Sequence, residues 1–148
     1  MGEPFVLQTA GGQRWIVRSP QDPYGDGYVY TVATELYDDG MTASTVAKID
    51  GMYASLDCAL PGFVEGLAAD WRGWDGVRTW TSMERELALD VRHDRRSHVS
   101  LGVTLRAPGP DWDDAAWSAR AVFVLEAGEE LACFATDLSR HLRMQPTL

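Results

Sequence analysis

Hydrophobic and polar positions alternate along much of this chain, and the alternation predicts β-strands. The clearest stretches run from Leu87 to His93 and from His98 to Arg106, where nearly every second residue is Leu or Val. A period of two places the apolar side chains on one face of a sheet. We therefore expect an antiparallel hairpin with one buried face and one solvated face.

Two other segments repeat every three to four residues and predict helices. The first runs from Pro61 to Trp71 and ends before Gly73. The second follows Gly128, with Leu, Phe and Ala on one stripe through Leu142. Acidic residues begin the second helix and basic residues end it, which suits the helix dipole.

Shorter strand patterns precede the first helix, and one more strand is centred on residues 117–125. The chain is therefore predicted to be α+β: a mainly antiparallel sheet of six to eight strands, with two amphipathic helices packed on one face. Residues 1–148 are expected to form a single domain. Strands followed by a helix recur, so a weakly duplicated βββα unit over about 14–71 and 77–143 is a further interpretation.

The net charge of the chain indicates which classes of partner it would bind. Its 148 residues carry a net charge of −9 with a pI near 4.6. Nucleic acids and anionic membranes favour basic surfaces, so both are disfavoured, and a basic protein partner is favoured. No apolar run approaches the ~20 residues of a membrane span, and no signal peptide is visible, so we expect a cytoplasmic protein.

The candidates for catalysis and metal binding are few. His93, Asp94 and His98 lie together around one turn, but no further ligand follows the two histidines at a spacing recognised for zinc sites. Phosphate loops and nucleophile motifs are absent. We expect no catalytic residues, no resident metal and no cofactor.

Tryptophan is concentrated between Leu67 and Trp80, which holds three of the six tryptophans. A corner of the core is the simpler interpretation, and a recognition surface is the alternative, because Trp and Arg dominate binding hot spots. For such a surface the candidate contacts, with an acidic loop as rim, are Trp71, Trp74, Asp75, Arg78, Trp80, Asp111, Asp113 and Asp114.

From Leu60 to Leu142 the sequence resembles a family of small uncharacterised proteins that are common in high-GC actinobacteria. The segment Trp-Arg-Gly-Trp-Asp-Gly at 71–76 carries most of this resemblance, which also includes Leu60-Pro-Gly-Phe63, Trp80-Thr-Ser82, Leu87-Ala-Leu89, His93-Asp94, His98-Val99, Leu101, Leu105, Trp117 and Gly128-Glu-Glu-Leu131. It implies no known activity. Size, acidity and layout also resemble, more loosely, small immunity proteins that neutralise toxins.

These observations favour a non-catalytic interaction protein, of the immunity type, that binds a basic toxin or another protein. The alternative is a module that binds a small molecule in an apolar pocket between sheet and helices, lined by Trp15, Tyr28 and Tyr30. A third hypothesis is an enzyme or metalloprotein that uses His93, Asp94 and His98.

Overall fold

The computed structural model describes residues 3–25, 27–50, 59–109 and 115–143. Within these ranges, four strands followed by a helix occur twice. We call residues 5–69 the first half and residues 77–143 the second half. The elements are β1 (Phe5–Gln8), β2 (Arg14–Val17), β3 (Val29–Asp38), β4 (Met41–Asp50), α1 (Leu60–Ala69), β5 (Val77–Thr81), β6 (Leu87–His93), β7 (His98–Pro108), β8 (Ala115–Glu126) and α2 (Glu129–Arg143).

The strands form two four-stranded antiparallel sheets, ordered β1-β2-β3-β4 and β5-β6-β7-β8. The predicted α+β class and antiparallel pairing are confirmed, whereas the prediction of one sheet of six to eight strands is corrected. Alternation shows which face of a strand is buried, but it does not show which strands are neighbours. Here β5 pairs with β6 and starts a second sheet, whereas β4 ends the first.

Each half of the described chain has four strands before its helix, whereas the predicted unit has three. In the first half the additional strand is β1, which lies before the predicted boundary at residue 14. In addition, β3 lies near β8 and β4 lies near β7, so the third strand of each half meets the fourth strand of the other. Duplication and the single domain over 1–148 stay predictions.

A single hydrophobic cluster joins both sheets and both helices. The second half contributes the alternating Leu and Val residues of β6 and β7, which are buried as their pattern predicts. Burying each such side chain fully stabilises the fold by about 1.5–3 kcal/mol. The alternating residues between them face outward and carry the polar groups.

The first half contributes aromatic residues to this core. Trp15 is fully buried, and its ring meets Phe5 edge-on with the centroids 5.8 Å apart. Phe134 of α2 packs against the same Phe5 ring at 5.9 Å. Trp15 Nε1 donates a hydrogen bond to Thr34 Oγ1 at 2.8 Å, so the buried indole N–H has its partner.

The helices pack against each other, and Glu65 of α1 reinforces the contact. Its carboxylate accepts a hydrogen bond from Ser139 Oγ at 3.0 Å and pairs with Arg143 at 2.7 Å. On α2, Leu131, Phe134 and Leu138 are buried, which confirms its predicted apolar stripe. A groove of about 310 Å³ runs between the two helices beside these polar contacts.

Glu86 links the two sheets at the edge of β4. Its side chain is buried, and it accepts hydrogen bonds from Ser82 Oγ at 2.7 Å and from the Lys48 N–H at 3.2 Å. The Met83 N–H donates to the Lys48 carbonyl at 3.1 Å. Both backbone groups of Lys48 are therefore occupied by the turn between β5 and β6.

Candidate functional site

The segment from Asp70 to Arg78 leads from α1 into β5, and we call it the tryptophan turn. The helix closes with hydrogen bonds from Asp70 N–H to the Gly66 carbonyl and from Gly73 N–H to the Asp70 carbonyl. Gly73 then adopts a φ of 139°, a conformation that favours glycine. The chain can therefore reverse its direction within four residues of the end of α1.

Trp74 attaches this turn to the core and does not face solvent. It is 6% exposed, and its Nε1 donates to the Val91 carbonyl at 3.3 Å. Its ring meets the His93 ring edge-on at 5.2 Å, and the Arg78 guanidinium lies 4.7 Å from its centroid. Trp74 is thus a packing residue between the turn and β6.

His93 holds the turn by two hydrogen bonds, one from each ring nitrogen. Nδ1 accepts a hydrogen bond from the Arg95 N–H at 2.7 Å, so that nitrogen carries no proton. Nε2 lies 2.7 Å from the Trp71 carbonyl and must therefore be the protonated nitrogen. A neutral His93 with this tautomer satisfies both partners and keeps no lone pair for a metal.

Asp94 and His98 form a compact turn next to His93. Asp94 Oδ1 accepts backbone hydrogen bonds from Arg96 at 2.7 Å and from Ser97 and His98 at 3.0 Å. These N–H groups, that of His98 first, lower the pKa of Asp94 below its ordinary value. The arrangement is an Asx-type turn, and the described residues contain no group of three or more potential metal ligands.

Trp71 is the most exposed of the three tryptophans in the predicted set. It is 47% exposed although its carbonyl is fixed by His93. The Arg72 guanidinium lies 5.2 Å from its ring centroid. A partly exposed Trp on a fixed backbone loses little conformational freedom on binding, which is the property of a hot-spot residue.

Charges around Trp71 are largely paired within the chain. Asp75 pairs with Arg95, and Asp70 pairs with Arg78 at 2.8 Å. Sequence reasoning placed Asp75 and Arg78 at the surface but missed Arg95, which lies 20 residues from Asp75. These two side chains come together because β5, which follows the turn, pairs with β6, which precedes Arg95.

The remaining candidates are separated from this surface or lie outside the described residues. Trp80, on β5, is partly buried and packs against the core. Asp111, Asp113 and Asp114 lie outside the residues that the structure describes.

The residues of the alternative pocket do not share one environment. Trp15 is fully buried in the core, Tyr30 is partly buried and Tyr28 is 55% exposed. A second groove, of about 280 Å³, lies between β1 and α2 and is lined by Phe5, Val6 and His141 with their neighbours, not by these three residues. The described part of the chain has no helix that is both long and apolar enough to cross a bilayer.

Fold and site together define a two-sheet α+β protein with an exposed tryptophan on a rigid turn. The chain belongs to a family described as a family of unknown function (DUF6228), whose sequence profile matches residues 9–145. That match includes the tryptophan turn and every element from β2 to α2. No curated protein and no solved structure matches this chain.

Proposed function

We propose that this protein is a non-catalytic interaction protein that binds a basic protein partner, as an immunity protein binds a toxin. The observation that carries the proposal is Trp71: it is nearly half exposed, yet its backbone is fixed by His93 and its neighbour Trp74 is locked in the core. Exposed aromatic side chains on rigid backbone are the usual anchors of protein interfaces.

The charges beside Trp71 are paired within the chain, so they do not indicate the charge of a partner. The net charge of the whole chain is what favours a basic partner. A net charge of −9 attracts a basic protein over distances of about 10 Å at ordinary salt and raises its association rate. Trp71 would then contribute to the lifetime of the complex, and the acidic residues would mainly affect how fast it forms.

The test compares two exposed tryptophans. Tagged wild-type protein, Trp71→Ala and Trp117→Ala are used to capture partners from native-host lysate at low and high salt, because Trp117 is 39% exposed and lies on β8. The captured protein is identified, purified and titrated against each variant. We expect Trp71→Ala to weaken binding about 30-fold, equivalent to about 2 kcal/mol, and Trp117→Ala to bind like wild type.

Two results would contradict the proposal. One is a purified partner that binds Trp71→Ala as tightly as wild type, which would place the interface elsewhere. The other is a complex whose association rate does not fall with salt, which would remove the argument for a basic partner.

A further inference from the structure

β8 is an edge strand, and among the described residues most backbone groups on its outer edge have no hydrogen-bond partner. At 12 residues it is the longest strand of the described chain, and it pairs with β7 alone. The Ala127 N–H donates to the Ser97 carbonyl at 2.7 Å, which in an antiparallel ladder makes the odd-numbered residues of β8 bond to β7. The even-numbered residues of β8 therefore direct their N–H and C=O groups away from the sheet.

Most of these outward groups have no partner within the described part of the chain. At Glu126 the outward N–H donates to the Glu130 carboxylate at 2.9 Å. Ser118, Arg120, Val122 and Val124 have no such backbone hydrogen bond among the described residues. A seven-residue edge is thus available for pairing with another strand.

The other edges carry features that oppose strand addition. On β4, Lys48 already uses both backbone groups to join the second sheet. On β5, Arg78 points inward and is held by Asp70, and inward-pointing charges discourage an added strand. β1 has only four residues.

The edge of β8 from 118 to 124 contains no Lys, Pro or Gly, and the register shift of this strand lies before it, at the partner of Ala107. Its charged residue, Arg120, is neutralised by Asp90 across the sheet at 2.7 Å. Val122 and Val124 are 37% and 54% exposed on the outer face. In a chain with a net charge of −9, this strand is a place where two copies can meet without bringing carboxylates together.

We propose that β8 pairs in antiparallel fashion with β8 of a second copy, so that the second sheets of two molecules join into one continuous sheet. A two-fold axis through Ala121 uses all four outward residues of each copy: Ser118 then faces Val124 of the second copy, and Arg120 faces its Val122. The aliphatic part of Arg120 covers that Val122, and the valines leave solvent. This dimer is independent of the surface around Trp71.

The test uses sedimentation velocity of the full chain over a wide concentration range, with two matched valine variants. Val122→Lys places a lysine opposite Arg120 of the second copy, whereas Val46→Lys makes the same change at an exposed residue on the edge of β4. We expect a wild-type dimer, at least tenfold weaker association for Val122→Lys, and wild-type association for Val46→Lys. Circular dichroism shows whether each variant is folded.

Hydrogen exchange of the wild-type protein provides a measurement that does not depend on a variant. The amides of Ser118, Arg120, Val122 and Val124 should exchange rapidly in dilute protein and slowly in concentrated protein. A wild-type protein that stays monomeric overturns the proposal. So does a dimer that is equally stable in Val122→Lys, or one that both lysine variants weaken to the same extent.

Discussion

The two halves share the order of their elements but differ in how their side chains stabilise the sheet. The inner face of the first half is organised around Trp15, whose size and N–H require a specific partner in Thr34. The inner face of the second half is an aliphatic ladder of Leu and Val along β6 and β7. Aliphatic side chains need no hydrogen-bond partner, and the buried polar contacts of the second half lie at the ends of β6, where His93 meets the tryptophan turn and Glu86 meets β4.

The outer faces differ in a similar way. In the first half, Arg14 lies 4.5 Å from the Tyr37 ring centroid, Tyr37 donates to Glu35 at 2.6 Å, and Glu35 pairs with Arg18. In the second half, Asp90 and Arg120 pair across β7 at Gly102, where any side chain would collide with them. The first face links neighbouring strands, and the second links strands on either side of a third.

This comparison indicates where function can reside. The first half meets the second through the shared core, the helices and Glu86. The second half carries His93, which supports Trp71, and the open edge of β8. Three substitutions test this comparison, and the expected effect on stability falls from Glu86→Ala through His93→Leu to Tyr37→Phe.

Glu86→Ala tests whether the two halves are one cooperative unit. The change leaves Ser82 Oγ and the Lys48 N–H without their buried acceptor, so the free energy of unfolding should fall by about 2–3 kcal/mol. Glu84→Ala is the matched control, because Glu84 pairs with Lys48 at an exposed site and should cost less than about 1 kcal/mol. Urea unfolding followed by fluorescence and by circular dichroism measures both. If the free energy of unfolding falls by the same amount in both variants, the buried hydrogen bonds of Glu86 contribute no more to joining the sheets than the exposed ion pair of Glu84.

His93→Leu tests the support of the tryptophan turn. It leaves the Trp71 carbonyl and the Arg95 N–H without their partner, and we expect a loss of about 1–2 kcal/mol. Amide exchange should accelerate at residues 71–76 while β7 stays protected. His98→Leu is the control, since the His98 side chain is 53% exposed. Unchanged exchange at 71–76 in His93→Leu would mean that Trp74 alone holds the turn.

Tyr37→Phe has the smallest expected effect and distinguishes two ways of stabilising a carboxylate. The hydrogen bond from Tyr37, followed by that from Arg18, lowers the pKa of Glu35 against the opposing effect of burial. Backbone N–H groups lower the pKa of Asp94 in the second half. NMR titration of the side-chain carboxyl groups should show the pKa of Glu35 rising in Tyr37→Phe, with that of Asp94 unchanged. Equal shifts at both carboxyls would point to a global change instead.

The sign of the pH effect follows from the direction of these shifts. Because the folded-state pKa of Glu35 is lowered, its ionised form stabilises the protein at pH values above the ordinary carboxylate range. That contribution is lost as the pH falls through the lowered pKa. Tyr37→Phe should therefore make the protein less stable near neutrality relative to wild type, and the difference should shrink in acid.

The position of the candidate site in the chain could be predicted from the sequence, but which of its tryptophans is exposed could not. Periodicity predicts a helix from Pro61 to Trp71, yet α1 ends at Ala69 and Trp71 is exposed. Trp74, three residues later, is buried. Residue type alone cannot separate two tryptophans in one turn, because the choice depends on His93, which lies 22 residues from Trp71.

The sequence by itself determined the α+β class, the antiparallel hairpin of β6 and β7, and the apolar stripe of α2, because those features are local repeats of burial and solvation. Only the tertiary structure decided that the strands divide into two sheets, that Glu86 joins them and that His93 fixes the tryptophan turn. Each of these depends on a contact between residues far apart in the chain. Such contacts leave no periodic signal in the sequence.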